Sequence, residues 1–142
     1  MYICNSFILS FLGWLSHHAI QIGKAVAHLP SFYMEQPCST YDECLRVRNH
    51  TNLPFILDEN VTDLQSLIRA WQDHCADVVN IKISKFGGIT RAKEATELCS
   101  HLGIAMTIED TWGGMNSVDV IFIQIFSFFR KELSISRVSF AI

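Results

Sequence analysis

The chain has 142 residues, a hydrophobic fraction of 49%, a charged fraction of 18% and a formal net charge of −3. This length is typical of one domain with its own hydrophobic core, and the composition excludes an intrinsically disordered chain. A weakly acidic chain without a basic run also lacks the surface charge that nucleic-acid binding requires. The five cysteines form no CxxC pair, which favours free thiols in a reducing compartment, namely the cytoplasm.

An almost wholly apolar run, YICNSFILSFLGWL, extends from Tyr2 to Leu15. It is shorter than a membrane-spanning helix, and neither a preceding basic residue nor a small-residue cleavage site marks it as a signal peptide. We favour a segment packed against the rest of the domain, with a membrane or secretory role as the alternative. A short helical pattern then leads from Ile20 to Leu29. Residues 1–24 are therefore interpreted as an atypical N-terminal segment.

Strands and helices are predicted to alternate over residues 31–110. Short apolar runs at 31–34, 54–57, 78–83 and 104–108 predict four strands. Capping-box spacing after Thr40 and Thr62, followed by apolar residues at helical spacing, predicts helices at about 40–49 and 62–74. A third helix is predicted at about 90–102, ended by Gly103. We expect the three helices to pack on one side of the sheet.

Each predicted strand ends in a polar or charged residue: Glu35, Asp58, Lys82 and Asp110. The intervals between them are close to the length of one βα unit, which predicts a parallel sheet with right-handed crossovers. A doubly wound open sheet and an arc of a (β/α)8 barrel both satisfy this pattern. An open sheet concentrates its ligands at one switch point, whereas here every strand end offers a chemical group. This difference favours the barrel.

The carboxyl ends of parallel strands meet at one edge, so we expect Glu35, Asp58 and Lys82 to share a site there. Carboxylates from neighbouring strands suit a hard cation such as Mg²⁺. A lysine beside that cation can serve as a base, and the combination suits removal of a proton next to a carboxylate. Side chains alternate along a strand, so only one of Asp58 and Glu59 can face the site. Taken singly, each residue also fits a plain surface or turn role.

Four segments carry a family resemblance: MEQPC from Met34, PFILDEN from Pro54, NIKISKFGGITRAKE from Asn80 and IAMTIEDTWGG from Ile104. Together they resemble consecutive barrel segments of the mandelate racemase/muconate lactonizing enzyme branch of the enolase superfamily. They are most similar to its hydroxyproline-betaine epimerase and hydroxyproline dehydratase-like members. The resemblance covers about 25–114, predicted as a partial TIM-type barrel of about four βα units. Residues 115–142 are interpreted as a second atypical apolar segment.

The resemblance implies that Glu35 and Asp58 bind Mg²⁺ and that Lys82 is the general base. It implies substrate contacts at three further positions: Lys85, Asp110 and Trp112. The implied substrate is a small carboxylate of the amino-acid or betaine type. The implied reaction begins with removal of its α-proton, as in a racemase, an epimerase or a dehydratase.

The sequence also departs from the family pattern. Members of this kind have a metal-ligating aspartate on the preceding strand and a lysine motif before that, and no segment before Glu35 matches either. His17, His18 and Lys24 lie in that region without a family motif around them, which indicates packing or surface roles. We therefore predict a truncated member that is inactive as this chain. Two alternatives remain open: a non-catalytic module that joins other chains or its own copies through exposed sheet edges, and a membrane-associated protein held by its apolar ends.

Overall fold

A computed structural model describes residues 7–10, 13–29, 32–109 and 138–139 of the chain. The elements in these ranges are β1 (Phe7–Ser10), α1 (Ser16–Val26), β2 (Phe32–Glu35), α2 (Tyr41–Arg48), β3 (Phe55–Leu57), α3 (Leu64–Gln72), β4 (Val78–Lys82), α4 (Ile89–Leu102), β5 (Ala105–Glu109) and β6 (Val138–Ser139). The predicted alternation of strands and helices is confirmed. No helix in the described part of the chain is both long enough and apolar enough to cross a membrane.

The described strands form one parallel sheet in which spatial order follows chain order, from β1 to β6. A doubly wound sheet reverses its strand order at a switch point, and no reversal occurs among these strands. Right-handed crossovers that all advance in one direction leave their helices on the same face of the sheet. The described strands therefore form an arc of a barrel, as the spacing of the strand ends predicted.

The apolar N-terminal run contains a strand that the sequence analysis did not predict. β1 pairs with β2 in parallel register, with Leu9 opposite Met34 and Ser10 opposite Glu35. A continuous apolar run has neither alternation nor turn residues to mark a strand inside it, so periodicity could not identify β1. The four strands expected over residues 31–110 are confirmed as β2 to β5, and β1 and β6 extend the sheet on both sides. The first helix also begins earlier than its apolar pattern indicated, at Ser16.

Two capping boxes start the helices α2 and α3. Thr40 caps α2 as predicted, because its side chain accepts a hydrogen bond from Glu43 N and Glu43 Oε2 accepts one from Thr40 N, both at 3.3 Å. The predicted box at Thr62 is wrong. Asp63 caps α3 instead, with its Oδ1 accepting from Ser66 N at 2.7 Å and Ser66 Oγ accepting from Asp63 N at 3.1 Å. An ionised carboxylate at this position also interacts favourably with the positive end of the helix dipole.

One hydrophobic core fills the space between the sheet and the helices. The strand register puts Met34 beside Phe55, and Leu57 beside Val79, on one face of the sheet. Further members of this core come from all four helices and from β4 and β5: Ala19, Val47, Leu67, Ala70, Ala95, Cys99, Ile81 and Met106. Because alternate residues of a strand point to opposite faces, burial of these side chains against the helices turns their strand neighbours to the inner face.

Candidate active site

The polar ends of β2, β3 and β4 meet at the carboxyl edge of the sheet, on its inner face. The register aligns Glu35 with Ile56, and Asp58 follows Ile56 by two residues, which keeps it on the same face. Lys82 ends β4 and is paired in register with Glu109 of β5. The structure therefore brings Glu35, Asp58 and Lys82 to one edge of the sheet.

Asp58 lies at the centre of a group of polar side chains that we call the Asp58 cluster: Glu35, Asp58, Asn80, Lys82 and Lys85. The Asp58 side chain is 7% exposed, and its Oδ2 accepts a hydrogen bond from Lys82 Nζ at 2.5 Å. Its Oδ1 accepts from Lys85 Nζ at 2.8 Å. Burial alone would raise the pKa of Asp58, but the hydrogen bonds from the two lysines outweigh it and hold that pKa below its ordinary value.

The structure also decides between the two adjacent carboxylates that follow β3. Asp58 is buried within the cluster, whereas Glu59 is exposed. The backbone of Asp58 is held as well, because its N–H donates to Gln36 Oε1 at 3.1 Å. Gln36 Nε2 in turn donates to Asn60 Oδ1 at 2.6 Å, so this buried amide braces the loop after β3. Sequence reasoning did not identify Gln36.

Asn80 connects the two carboxylates and was also missed. Its Nδ2 donates to Glu35 Oε1 at 2.7 Å and to Asp58 Oδ2 at 3.4 Å. Its Oδ1 accepts from Thr107 Oγ1 on the neighbouring strand β5. Asn80 is 3% exposed, and an amide in the otherwise apolar run VVNI was the signal that could have identified it.

Lys85 lies in the turn after β4, with its side chain 13% exposed. Its Nζ donates to three oxygens: Asp58 O at 2.7 Å, Asp58 Oδ1 at 2.8 Å and Asn80 O at 2.8 Å. An ammonium group has three N–H donors, and these oxygens take all of them. Burial lowers the pKa of Lys85, and Asp58 opposes that shift without cancelling it. The ammonium is thus bound on every side by the protein itself.

The oxygen donors at this edge fit a hard divalent cation. Glu35 and Asp58 offer carboxylate oxygens on either side of the Asn80 amide, and Mg²⁺ typically takes one or two carboxylates together with water or substrate oxygens. The β1 residue in register with Glu35 is Ser10, which offers a hydroxyl in place of a further carboxylate. Over the described residues, no group of three or more His, Cys, Asp and Glu side chains could hold a metal. Among the described residues, the carboxylates at this edge that could contribute to a cation site are those of Glu35 and Asp58.

Two of the residues implied as substrate contacts, Asp110 and Trp112, lie outside the described residues. The apolar run that follows Gly114 lies there too. The described part of the site consists of the strand ends of β2, β3 and β4 and the adjoining part of β5.

Sequence comparison identifies the family of the chain. The profile of the enolase C-terminal domain-like family matches residues 12–129. A curated relative, the cis-3-hydroxy-L-proline dehydratase of Roseibium aggregatum, is 48% identical over 102 residues. The matched region covers 72% of this chain and 28% of the dehydratase, so the chain spans less than a third of that relative's length.

Solved structures agree with the sequence match. A mandelate racemase/muconate lactonizing enzyme from Roseovarius nubinhibens has a TM-score of 0.68 at 35% identity, covering 71% of this chain and 27% of that one. A member of the enolase superfamily from the same organism, complexed with magnesium, has a TM-score of 0.65 at 30% identity, covering 70% of this chain and 27% of that one. The chain belongs to the enolase C-terminal domain-like family.

Proposed function

We propose that this chain carries the central part of the active site of a Mg²⁺-dependent enzyme that removes the proton next to a substrate carboxylate. The observation that carries the proposal is the unbroken set of contacts from Glu35 through Asn80 to Asp58 and Lys82. The relative that dehydrates cis-3-hydroxy-L-proline supports a substrate of the amino-acid or betaine type. The magnesium complex of a structural relative supports the choice of cation. Racemisation, epimerisation or dehydration would follow the same first step.

The residues of the Asp58 cluster have different roles in the proposed reaction. Glu35 and Asp58 hold the cation, which when bound stabilises the negative charge that develops on the substrate carboxylate. Lys82 is the base that accepts the α-proton at Nζ, since it lies beside the carboxylates and is only partly exposed. Asn80 fixes the orientation of both carboxylates through its amide.

Substrate selection belongs to residues beyond the cluster. By the family resemblance, Asp110 and Trp112 line the substrate pocket. We propose a cytoplasmic enzyme with neither nucleic acid nor a membrane as its partner. The state of the four described cysteines supports that compartment, because Cys38, Cys44, Cys75 and Cys99 are all buried free thiols.

We expect the 142-residue chain by itself to be inactive. The resemblance implies an aspartate on the strand before Glu35, and the β1 residue in register there is Ser10. It also implies a second lysine motif, which no segment before Glu35 matches. Loss of one electrostatic element of a site costs about 10²–10³ in rate, and these two losses act on the same transition state.

Proton exchange tests the prediction that the chain alone is inactive. The polypeptide 1–142 would be incubated in D₂O with Mg²⁺ and cis-3-hydroxy-L-proline, proline betaine or hydroxyproline betaine, and the α-proton signal followed by NMR. We expect no exchange above the rate without protein. Exchange that disappears in Lys82→Ala would show that the chain supplies a complete site.

A chimaera tests the assignment of the site residues. The matching 102 residues of the Roseibium aggregatum dehydratase would be replaced by those of this chain. We expect dehydratase activity in the chimaera, and a loss of about 10²–10⁴ in kcat on Lys82→Ala. Lys93→Ala, at a half-exposed position on α4, is the matched control and should leave kcat unchanged. A folded chimaera that binds Mg²⁺ but stays inactive, or one that tolerates Lys82→Ala, would contradict the proposal.

A further inference from the structure

We propose that Lys82 and a divalent cation compete for one oxygen of Asp58, Oδ2, while Lys85 stays bound to the other oxygen, Oδ1. This inference rests on the proposed function and deepens it, because it gives different tasks to two lysines that touch the same carboxylate. One lysine is exchanged when the cation binds, and the other is a positioning residue.

The competition follows from which Asp58 oxygen shares a partner with Glu35. Asn80 Nδ2 donates to Glu35 Oε1 at 2.7 Å and to Asp58 Oδ2 at 3.4 Å, so one amide group contacts both of these oxygens. A cation held by both carboxylates would therefore take Oδ2 as its Asp58 ligand. Lys82 Nζ already contacts that oxygen at 2.5 Å. An ammonium and a divalent cation repel strongly when both lie within hydrogen-bonding distance of one oxygen, so Lys82 must leave Oδ2 when the cation binds.

Lys85 differs from Lys82 in the number of hydrogen bonds that would be lost if its ammonium group left Asp58. Its ammonium also donates to the backbone carbonyls of Asp58 and Asn80, at 2.7 and 2.8 Å. Removing it would take a donor from both carbonyls and from Oδ1 in a site that is nearly closed to water, although Val61 N–H would still donate to Asp58 O at 3.0 Å. Lys85 therefore stays, and it holds the Asp58 carboxylate in the rotation that turns Oδ2 toward Glu35. Partners of this kind orient metal ligands in many proteins.

Two consequences follow for the chain. Binding of the cation would be coupled to release of Lys82 Nζ from Asp58. Lys82 would therefore become available as the base when the cation is bound. Lys82 also weakens the affinity of the site for the cation, because the cation must displace it. All three N–H donors of Lys85 are used within the protein. We therefore assign it a positioning role in place of the substrate contact that the family resemblance implies.

Titration with Mn²⁺ alone, without substrate, tests this inference on the polypeptide 1–142. Mn²⁺ accepts the same oxygen ligands as Mg²⁺, and its free concentration can be read by electron paramagnetic resonance. We expect Lys82→Met to bind Mn²⁺ at least about tenfold more tightly than wild type. A charge within about 4–6 Å typically shifts a protonation equilibrium by a factor of about 10 to 1,000, and the Lys82 ammonium should oppose cation binding in the same way. Lys82→Gln, which keeps a hydrogen-bond donor but no charge, should show the same direction. Circular dichroism would confirm that each variant folds.

Lys85→Met is the matched control, because it removes the same charge from the same carboxylate. Its affinity should stay within about threefold of wild type, since the gain from the lost charge is offset by loss of the orientation of Asp58. Lys93→Met, at a half-exposed position on α4, should have no effect. Asp58→Asn should abolish binding in the Lys82→Met background.

The outcomes separate the two proposals. Equal Mn²⁺ affinity in wild type and Lys82→Met, with binding lost in Asp58→Asn, would overturn the competition and leave the cation site standing. An equal gain from Lys82→Met and Lys85→Met would also overturn it, because the effect would then be one of net charge. Failure of every protein, Lys82→Met included, to bind Mn²⁺ would refute the cation site in this chain and with it the competition, whereas the chimaera tests the proposed function separately.

Discussion

Two groups of charged side chains in this chain use similar hydrogen-bond distances and lie in very different surroundings. In the Asp58 cluster, a carboxylate that is 7% exposed binds two lysines at 2.5 and 2.8 Å. On the helix layer, Arg69 of α3 binds Asp42 of α2 at 2.8 Å, with side chains 54% and 82% exposed. The distances alone would suggest interactions of similar strength.

The difference in exposure decides what each group contributes. Water replaces a lost partner on the helix surface, so the bond between Arg69 and Asp42 adds little to stability. No water can easily replace Lys82 or Lys85 at Asp58, so each member of the buried cluster depends on the others. A cation or a substrate that enters the cluster therefore changes the energy of every member. The same arrangement on the surface would be a poor site.

A third group at the opposite edge of the sheet is intermediate between these two. Arg48 of α2 binds Asp77 at 2.8 Å with side chains 23% and 42% exposed. Arg48 also donates to Leu53 O at 2.7 Å, and Asp77 accepts from Phe55 N at 2.8 Å. These contacts join α2 to the start of β3. Substitutions in the three groups should therefore lower the free energy of unfolding in the order of the burial of their side chains.

Asp58→Ala should have the largest effect on stability. It removes the carboxylate that both Lys82 and Lys85 contact, and breaking one side of a buried ion pair typically lowers the free energy of unfolding by about 3–5 kcal/mol. Urea denaturation followed by circular dichroism would measure the loss. Glu59→Ala, at the adjacent exposed carboxylate, should change it by less than about 0.5 kcal/mol. Similar losses at both positions would mean that burial of Asp58 does not control the cluster.

Arg48→Met should have an intermediate effect, a loss of about 1–3 kcal/mol in the free energy of unfolding. The reason is that Leu53 O and His74 O lose their donor, while methionine preserves most of the packing of the side-chain stem. Arg46→Met on the exposed side of the same helix is the control and should be nearly neutral. Equal losses in the free energy of unfolding for Arg48→Met and Arg46→Met would contradict the ranking by burial.

Asp63→Ala should lower the free energy of unfolding by about 1 kcal/mol, because α3 loses its N-cap. Hydrogen bonds from the backbone N–H and the side-chain hydroxyl of Ser66 hold the pKa of Asp63 below its ordinary value in the folded chain. A carboxyl with a depressed pKa stabilises the fold at a pH above its unfolded pKa, and this contribution disappears as the pH falls through the folded pKa. Denaturation at a series of pH values should therefore show the difference between wild type and Asp63→Ala shrinking in acid. Thr62→Ala should be close to neutral, and a larger effect there would restore the predicted cap.

Arg69→Met should have the smallest effect, with no resolvable change in the midpoint of urea denaturation. Its guanidinium is surrounded by solvent, so water takes over its bonds to Asp42 and Asp73. The measurement would be repeated at low salt, where a surface ion pair is least screened. A loss comparable with that of Arg48→Met would contradict the comparison between surface and buried groups.

Much of the fold could be predicted because its information is local. A strand, a capped helix and a second strand are encoded within one βα unit, so apolar runs and the box at Thr40 marked the elements from β2 to β5. The spacing of Glu35, Asp58 and Lys82 likewise indicated that polar groups end successive parallel strands. Parallel pairing of these strands places their carboxyl ends at one edge of the sheet, independently of the structure of the other segments.

Other features were decided only by tertiary structure. Asp58 rather than Glu59 faces the cluster because packing of Leu57 in the core determines which face its neighbour takes. Asn80 reaches both carboxylates only because β2, β3 and β4 lie side by side. The motif around Lys85 shows that a lysine is present, but two of its three acceptor oxygens belong to Asp58, which follows a different strand and is distant in sequence. Residue type and spacing are local properties, whereas hydrogen-bond partners and burial depend on which strands become neighbours, and the folded sheet alone sets those.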